Sequence, residues 1–164
     1  MITPTSDDPS ALRRAFSGFP CGVAALSAVI DQEPHILVAS SFTVGVSQVP
    51  PLVMFAVQRS STTWPALSAA PTLGVSVLGT SHVDVTRQLA AKDKAARLAG
   101  VASTTVDSGA LFLEGAPIWL ECSIWATHPA GDHDIVVMRV LGLRADFDHH
   151  PLVWHRSQFA TLAS

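Results

Sequence analysis

Four hydroxyl side chains fall within nine positions in Ala39-Ser40-Ser41-Phe42-Thr43-Val44-Gly45-Val46-Ser47, between two apolar runs that read as strands. A hydroxyl removed from water costs free energy unless it finds a partner. A phosphorylated, oxygen-rich ligand lying along a strand end would supply one, and an exposed Ser/Thr-rich turn accounts for the same composition. Histidines form the second group with chemical reach. His133, in Gly131-Asp132-His133, can change charge near neutral pH, although a histidine after Gly-Asp is also ordinary turn chemistry. His128, His149, His150 and His155 add ring nitrogens. The spacing of His150 and His155 matches no strong zinc pattern, and only Cys21 and Cys122 stand by to help, so no metal is expected.

Positioning these groups falls mainly to strands. Gly22 to Ile30 and His35 to Phe42 read as an antiparallel pair about a turn at Asp31-Gln32-Glu33-Pro34. Pro51 to Val57 is a third strand whose prolines sit at its start, where a missing N–H is tolerated. Leu73 to Leu78 is a fourth. In Ile118 to Thr127, Ile118, Leu120, Cys122, Ile124 and Ala126 alternate with Trp119, Glu121, Ser123, Trp125 and Thr127. One of those faces is core, and the other carries two tryptophans suited to a subunit interface. Turn chemistry at Pro129-Ala130-Gly131-Asp132 leads into Asp134 to Leu143, apolar on both faces.

Short helices are expected at three places. Ser10 to Phe16 would pack through Leu12, Ala15 and Phe16; Ser61 to Leu67 has a hydroxyl residue ahead of Pro65; Ser81 to Ala91 would turn His82, Val85 and Leu89 inward. Lys92 to Gly109 reads as an exposed connection. Hairpin-joined strands with few helices make the fold class mainly β, an antiparallel barrel with helical decorations.

Composition narrows the function. With 164 residues the chain is one domain, residues 10–164, behind a polar, proline-bearing flexible tail at 1–9. Charged residues are 14% against 48% hydrophobic, fewer charges than a monomer's surface calls for, so a second subunit is expected over part of the apolar surface. A net charge of −3 gives no reason to expect nucleic acid. No signal peptide and no membrane-length apolar run is visible, which makes the expected location cytoplasmic. Both cysteines sit in apolar strand contexts and are expected to be buried free thiols. G-x-G-x-x-G, G-x-x-x-x-G-K-[ST] and G-x-S-x-G patterns are all missing, so a dinucleotide pocket would have to be built without a Rossmann unit.

Several segments gain meaning from their order: Phe16-Ser17-Gly18-Phe19-Pro20-Cys21-Gly22-Val23, the hydroxyl-rich stretch, Gln58-Arg59-Ser60-Ser61-Thr62, Asp93-Lys94-Ala95-Ala96-Arg97-Leu98-Ala99-Gly100, Leu120-Glu121-Cys122, Gly131-Asp132-His133 and Pro151-Leu152-Val153-Trp154-His155-Arg156. From about Leu12 to Leu162 this order resembles the flavin reductase-like family of short-chain NAD(P)H:flavin oxidoreductases. The resemblance implies a dimeric, Greek-key split β-barrel with FMN or FAD in a groove at the barrel edge, reduced by NADH or NADPH.

It further implies that Ala39, Ser40, Ser41 and Ser47 lie along the flavin's ribityl and phosphate region, with Gln58, Arg59 and Ser60 contributing from the next loop. Ser40, Ser41, Ser60 and Arg59 together offer the donors and the cation that a phosphate requires. Lys92 is a further contact; Arg97 lies in the same basic stretch, but Leu98 stands where the family usually has an aromatic residue. His133 falls at the nicotinamide side, as an orienter rather than an indispensable base, because hydride passes directly between the two rings. Trp154-His155 replaces a tyrosine-bearing pattern, and the chain has no tyrosine at all. The implied activity is flavin reduction that feeds a flavin-dependent monooxygenase; the alternative is a flavin carrier or electron-transfer module of the same fold that does not turn over nicotinamide.

Overall fold

Period-two alternation organises the molecule around one strand that is buried on both faces. The computed structural model describes residues 8–162. In chain order its elements are α1 (Pro9–Ser17), β1 (Cys21–Gly22), β2 (Ala24–Ile30), β3 (Glu33–Ala39), β4 (Thr43–Gln48) and β5 (Pro51–Gln58). Then come α2 (Trp64–Ser68), β6 (Leu73–Val77), a 3-10 turn (Thr80–His82), α3 (Thr86–Leu89), β7 (Ser103–Thr105) and β8 (Leu111–Leu113). The chain closes with β9 (Ile118–Ala130), β10 (His133–Ala145), β11 (Leu152–His155) and β12 (Gln158–Thr161). β2 sends Ala24, Leu26 and Ala28 into one apolar cluster, with Phe55, Leu67, Val75, Val136 and Met138, and Ala25 into a second, with Ile36, Leu78, Leu89, Leu111, Leu113 and Leu152.

A seven-stranded antiparallel sheet runs β3-β2-β6-β9-β10-β5-β4. Its first strand curls back toward β5. There Ser41 Oγ accepts from the Ala56 N–H at 3.0 Å and donates to the Ala56 carbonyl at 2.9 Å, so one side chain imitates a strand partner. On the other side the β7–β8 hairpin docks through two buried hydroxyls. Ser27 donates to the Leu111 carbonyl at 2.8 Å and Ser76 accepts from the Leu113 N–H at 2.9 Å, which removes the cost of burying them. Gly74 permits this approach, since a Cβ there would lie 2.0 Å from the Leu111 carbonyl oxygen. A three-stranded sheet, β1-β11-β12, adds the carboxyl-terminal hairpin.

Several sequence expectations change in detail. The first hairpin turns more tightly than expected, through Asp31 and Gln32 at φ 51° and 68°, so Pro34 lies inside edge strand β3 opposite Val29. Gly22 belongs to β1 and pairs with Val153, apart from β2. The stretch from Thr43 to Gln48 is a strand in its own right, at the sheet edge and mostly exposed, and the Thr43 hydroxyl donates to the Ser41 carbonyl at 3.3 Å. β7, β8, β11 and β12 were not anticipated, and the helix expected from Ser81 breaks into the 3-10 turn and α3, while still burying His82 and Leu89. α1 is capped by the Asp8 side chain on the Ser10 N–H, but no residue of it is buried and Phe16 is 70% exposed, so the packed face expected there is unpartnered. Of the proposed tail, residues 1–7 lie outside the described residues, and Pro9 already opens α1. Trp119 is not open for a partner: it stacks on Phe112 at 5.0 Å, donates to the Leu113 carbonyl at 2.8 Å and lies under Arg144. Among the described residues no helix is long and apolar enough to cross a membrane.

Candidate active site

Where the curled end of β3 meets β5, the sheet leaves a cavity of about 700 Å³, within the range of small-molecule sites. Leu37 to Ser41 form one side and Ala56 to Gln58 the floor; Ser60 to Thr63 form the adjoining loop, and Ala90, Lys92, Arg97 and His133 complete the lining. No Asp or Glu is among these lining residues, whereas two cations and a histidine are. Such a site attracts an anion and offers it hydroxyl and N–H donors.

The loop after β5 is built by its own hydroxyl. Ser61 Oγ accepts from the Trp64 N–H at 3.1 Å, satisfying the first turn of α2, and Pro65 needs no N–H partner there. That turn presents Ser60 to the cavity. Opposite it, the segment from Ala91 to Ala99 wraps around the Gln88 amide, which faces the carbonyls of Ala96, Arg97 and Ala99 at 2.8–3.1 Å. Lys94 Nζ ties this strap to the Thr62 carbonyl at 2.6 Å. Arg97 joins three walls at once: Nε donates to the Ala91 carbonyl at 2.7 Å, and Nη1 to the Ile36 carbonyl at 2.8 Å and the Thr63 hydroxyl at 3.0 Å.

The β9–β10 turn brings in His133. Gly131 takes φ +65°, a left-handed conformation that glycine adopts at no steric cost. His133 then pairs with Gln58 across the ladder, and its Nδ1 lies 2.6 Å from Asp132 Oδ1. The His133 hydrogen bond, followed by the histidine's charge, holds the Asp132 carboxyl below its ordinary range. The sign follows: the pair's contribution is present above the ordinary aspartate value and is lost as pH falls through the lowered one.

Of the residues singled out in the sequence, Ala39, Ser40, Ser41, Gln58, Ser60, Lys92 and His133 all line this cavity. The Ser41 hydroxyl is already engaged by Ala56, so its part is to shape the wall. Two residues do not come to the cavity. Ser47 lies on β4 opposite Leu52, and Arg59 points away, with Nε on Asp134 Oδ1 at 3.0 Å. Arg59 lies in the turn that follows β5, and its guanidinium is taken up by Asp134. Arg97, held in reserve by the sequence reading, takes a central place that no strand periodicity signals. Trp154 and His155 stay on β11, where Trp154 packs on Phe159 at 4.9 Å. Among the described residues no three His, Cys, Asp or Glu side chains converge as a metal site would require.

Comparison with known proteins identifies the family of the chain. Residues 16–163 match the flavin reductase like domain. The chain belongs to the flavin reductase-like family. A flavin reductase from Pseudomonas putida is 32% identical over 164 residues, covering 99% of this chain and 95% of that protein. The reductase subunit of a flavin-dependent monooxygenase from Rhodococcus jostii is 28% identical, with 93% and 77% covered. Among solved structures, the NADH:FAD oxidoreductase of Streptomyces globisporus C-1027 in complex with NAD and FAD fragments superposes with a TM-score of 0.90 at 30% identity, over 99% of this chain and 97% of that one.

Proposed function

We propose that this chain is an NAD(P)H-dependent flavin reductase that binds FMN or FAD in the cavity, takes its hydride from NADH as the Streptomyces relative does, and passes reduced flavin to a separate monooxygenase. The observation that carries the reading is the cavity lining: donors and cations without a carboxylate, in a chain of this family. Ser40 and Ser60 present hydroxyls, Gln58 its amide and Ala39 its backbone, while Lys92 and Arg97 supply the charge that Arg59 does not. When bound, the flavin supplies a ring that accepts hydride. The protein's own residues hold, orient and exclude water. His133, with Nδ1 kept by Asp132, turns Nε2 to the remaining partner, and we assign it to the nicotinamide carboxamide.

The curled sheet forms a split barrel, and two copies associate through the outer face of β9 and β10. Bulges at Trp125 and Leu141 interrupt that ladder, and both side chains are about half exposed, at 54% and 51%. Bulges re-aim side chains, and apolar residues exposed together suit a subunit contact. The free cysteines suit the reducing cytoplasm. Mixing the protein with NADH or NADPH and excess FMN or FAD, and following the loss of nicotinamide absorbance, tests the assignment. Turnover with NADH is expected; bound flavin without nicotinamide oxidation in any combination would move the protein to the carrier class.

A further inference from the structure

The β5–β10 ladder ends at the pair Gln58 and His133, the last rung before the turn. One residue further on, the Arg59 N–H donates to the Asp132 carbonyl at 3.1 Å, a bond outside the ladder. The Arg59 side chain then reaches Asp134, Nε to Oδ1 at 3.0 Å. Asp132, in the turn, and Asp134, opposite Val57 in the ladder, flank His133. The single residue Arg59 therefore grips the chain on both sides of the histidine. His133 is gripped a third time at Nδ1 by Asp132.

From this we infer that Arg59 and Asp134 are positioning residues for the nicotinamide, acting through His133, and that Arg59 has no part in holding the flavin phosphate. The inference rests on the assignment of His133 to the nicotinamide in the proposed reaction. The ion pair is partly exposed, 48% at Arg59 and 28% at Asp134, so removing it leaves the fold standing. What it controls is the angle and mobility of one imidazole.

The test uses Arg59→Met, Asp134→Asn and the double variant, beside Arg59→Lys. Each single variant is expected to raise the nicotinamide KM about 2- to 5-fold, the span of an exposed ion pair, with flavin Kd unchanged. The double variant should be no worse than either single one, because both remove the same contact. Arg59→Lys should recover most of the loss. A second readout needs no turnover: the His133 ring resonances in the NMR spectrum of the ligand-free protein should move in the same direction in Arg59→Met and Asp134→Asn. Flavin affinity lost in Arg59→Met but kept in Asp134→Asn would make Arg59 a phosphate ligand and overturn the inference. Unmoved His133 resonances with unmoved nicotinamide KM would also overturn it. A wild-type protein that never oxidises nicotinamide would instead defeat the functional reading, and the resonances would still report on the grip.

Discussion

The strap that carries Lys92 and Arg97 and the turn that carries His133 face each other across one cavity, but they are fastened differently. On the strap side, Gln88, Lys94 and Arg97 spend their donors on backbone carbonyls and a buried threonine, and the Arg97 bonds are partly buried. On the turn side, a partly exposed ion pair, one backbone bond and a contact with the exposed Asp132 carboxylate hold the histidine. Charge-assisted bonds away from water are worth about 1.5–3 kcal/mol each, whereas an exposed ion pair is worth about 0–1 kcal/mol. A firm wall suits a ligand gripped by its phosphate. A lightly held wall suits a partner that must enter and leave at every turnover.

Substitutions that separate the two walls sharpen this contrast, and the largest effect belongs to the strap. Arg97→Gln loses bonds to Ala91, Ile36 and Thr63, and is expected to destabilise the fold by about 2–4 kcal/mol and weaken FMN binding at least ~100-fold. Thermal unfolding and fluorescence titration of FMN measure the two losses separately. Ser40→Ala and Ser60→Ala should each weaken FMN about 10-fold with no change in melting temperature or nicotinamide KM. The opposite pattern is expected of Ser41→Ala, which forfeits both bonds to Ala56 and should lower stability by about 1–2 kcal/mol. His133→Ala should raise nicotinamide KM about 5-fold in steady-state kinetics while flavin Kd holds. A drop in flavin affinity for His133→Ala equal to that of Ser60→Ala would erase the distinction between the walls.

Much of this arrangement was legible in the chain. Alternation marked β9, apolar runs bounded by turn residues marked β2, β5 and β10, and the turn glycine before Asp132 placed His133 at a strand end. Composition misled where it ignored pleat and edge. The hydroxyl stretch divides at Phe42: its first part lines the cavity, and the rest is an exposed edge strand that needs no ligand. Arg59 had the right charge, but its guanidinium is engaged by Asp134. Arg97 was undervalued because its role comes from contacts with Ile36 and Thr63, 61 and 34 residues away, which no local pattern encodes. Trp119 showed the period of an exposed face but was covered by the β7–β8 hairpin, whose short strands gave no clear signal.

The smallest expected effect lies outside both walls and serves as their control. Burial, and then the neighbouring Glu121 charge, push the Cys122 thiol up to about 12, so native protein at pH 8 should resist alkylation there while half-exposed Cys21 reacts. Because the folded value is raised, the associated stability is present below the ordinary thiol value and is lost as pH climbs toward 12. Mass spectrometry of the alkylated chain should show one adduct, with flavin binding intact.

The central claim is that the strap wall recognises a phosphorylated flavin. Parallel titration of FMN and riboflavin, which differ by that phosphate, into wild-type protein and Arg97→Lys tests it most directly. FMN should bind at least ~10-fold more tightly than riboflavin to the wild type, with the preference weakening as salt rises. Equal affinity for the two flavins at low salt would contradict the account.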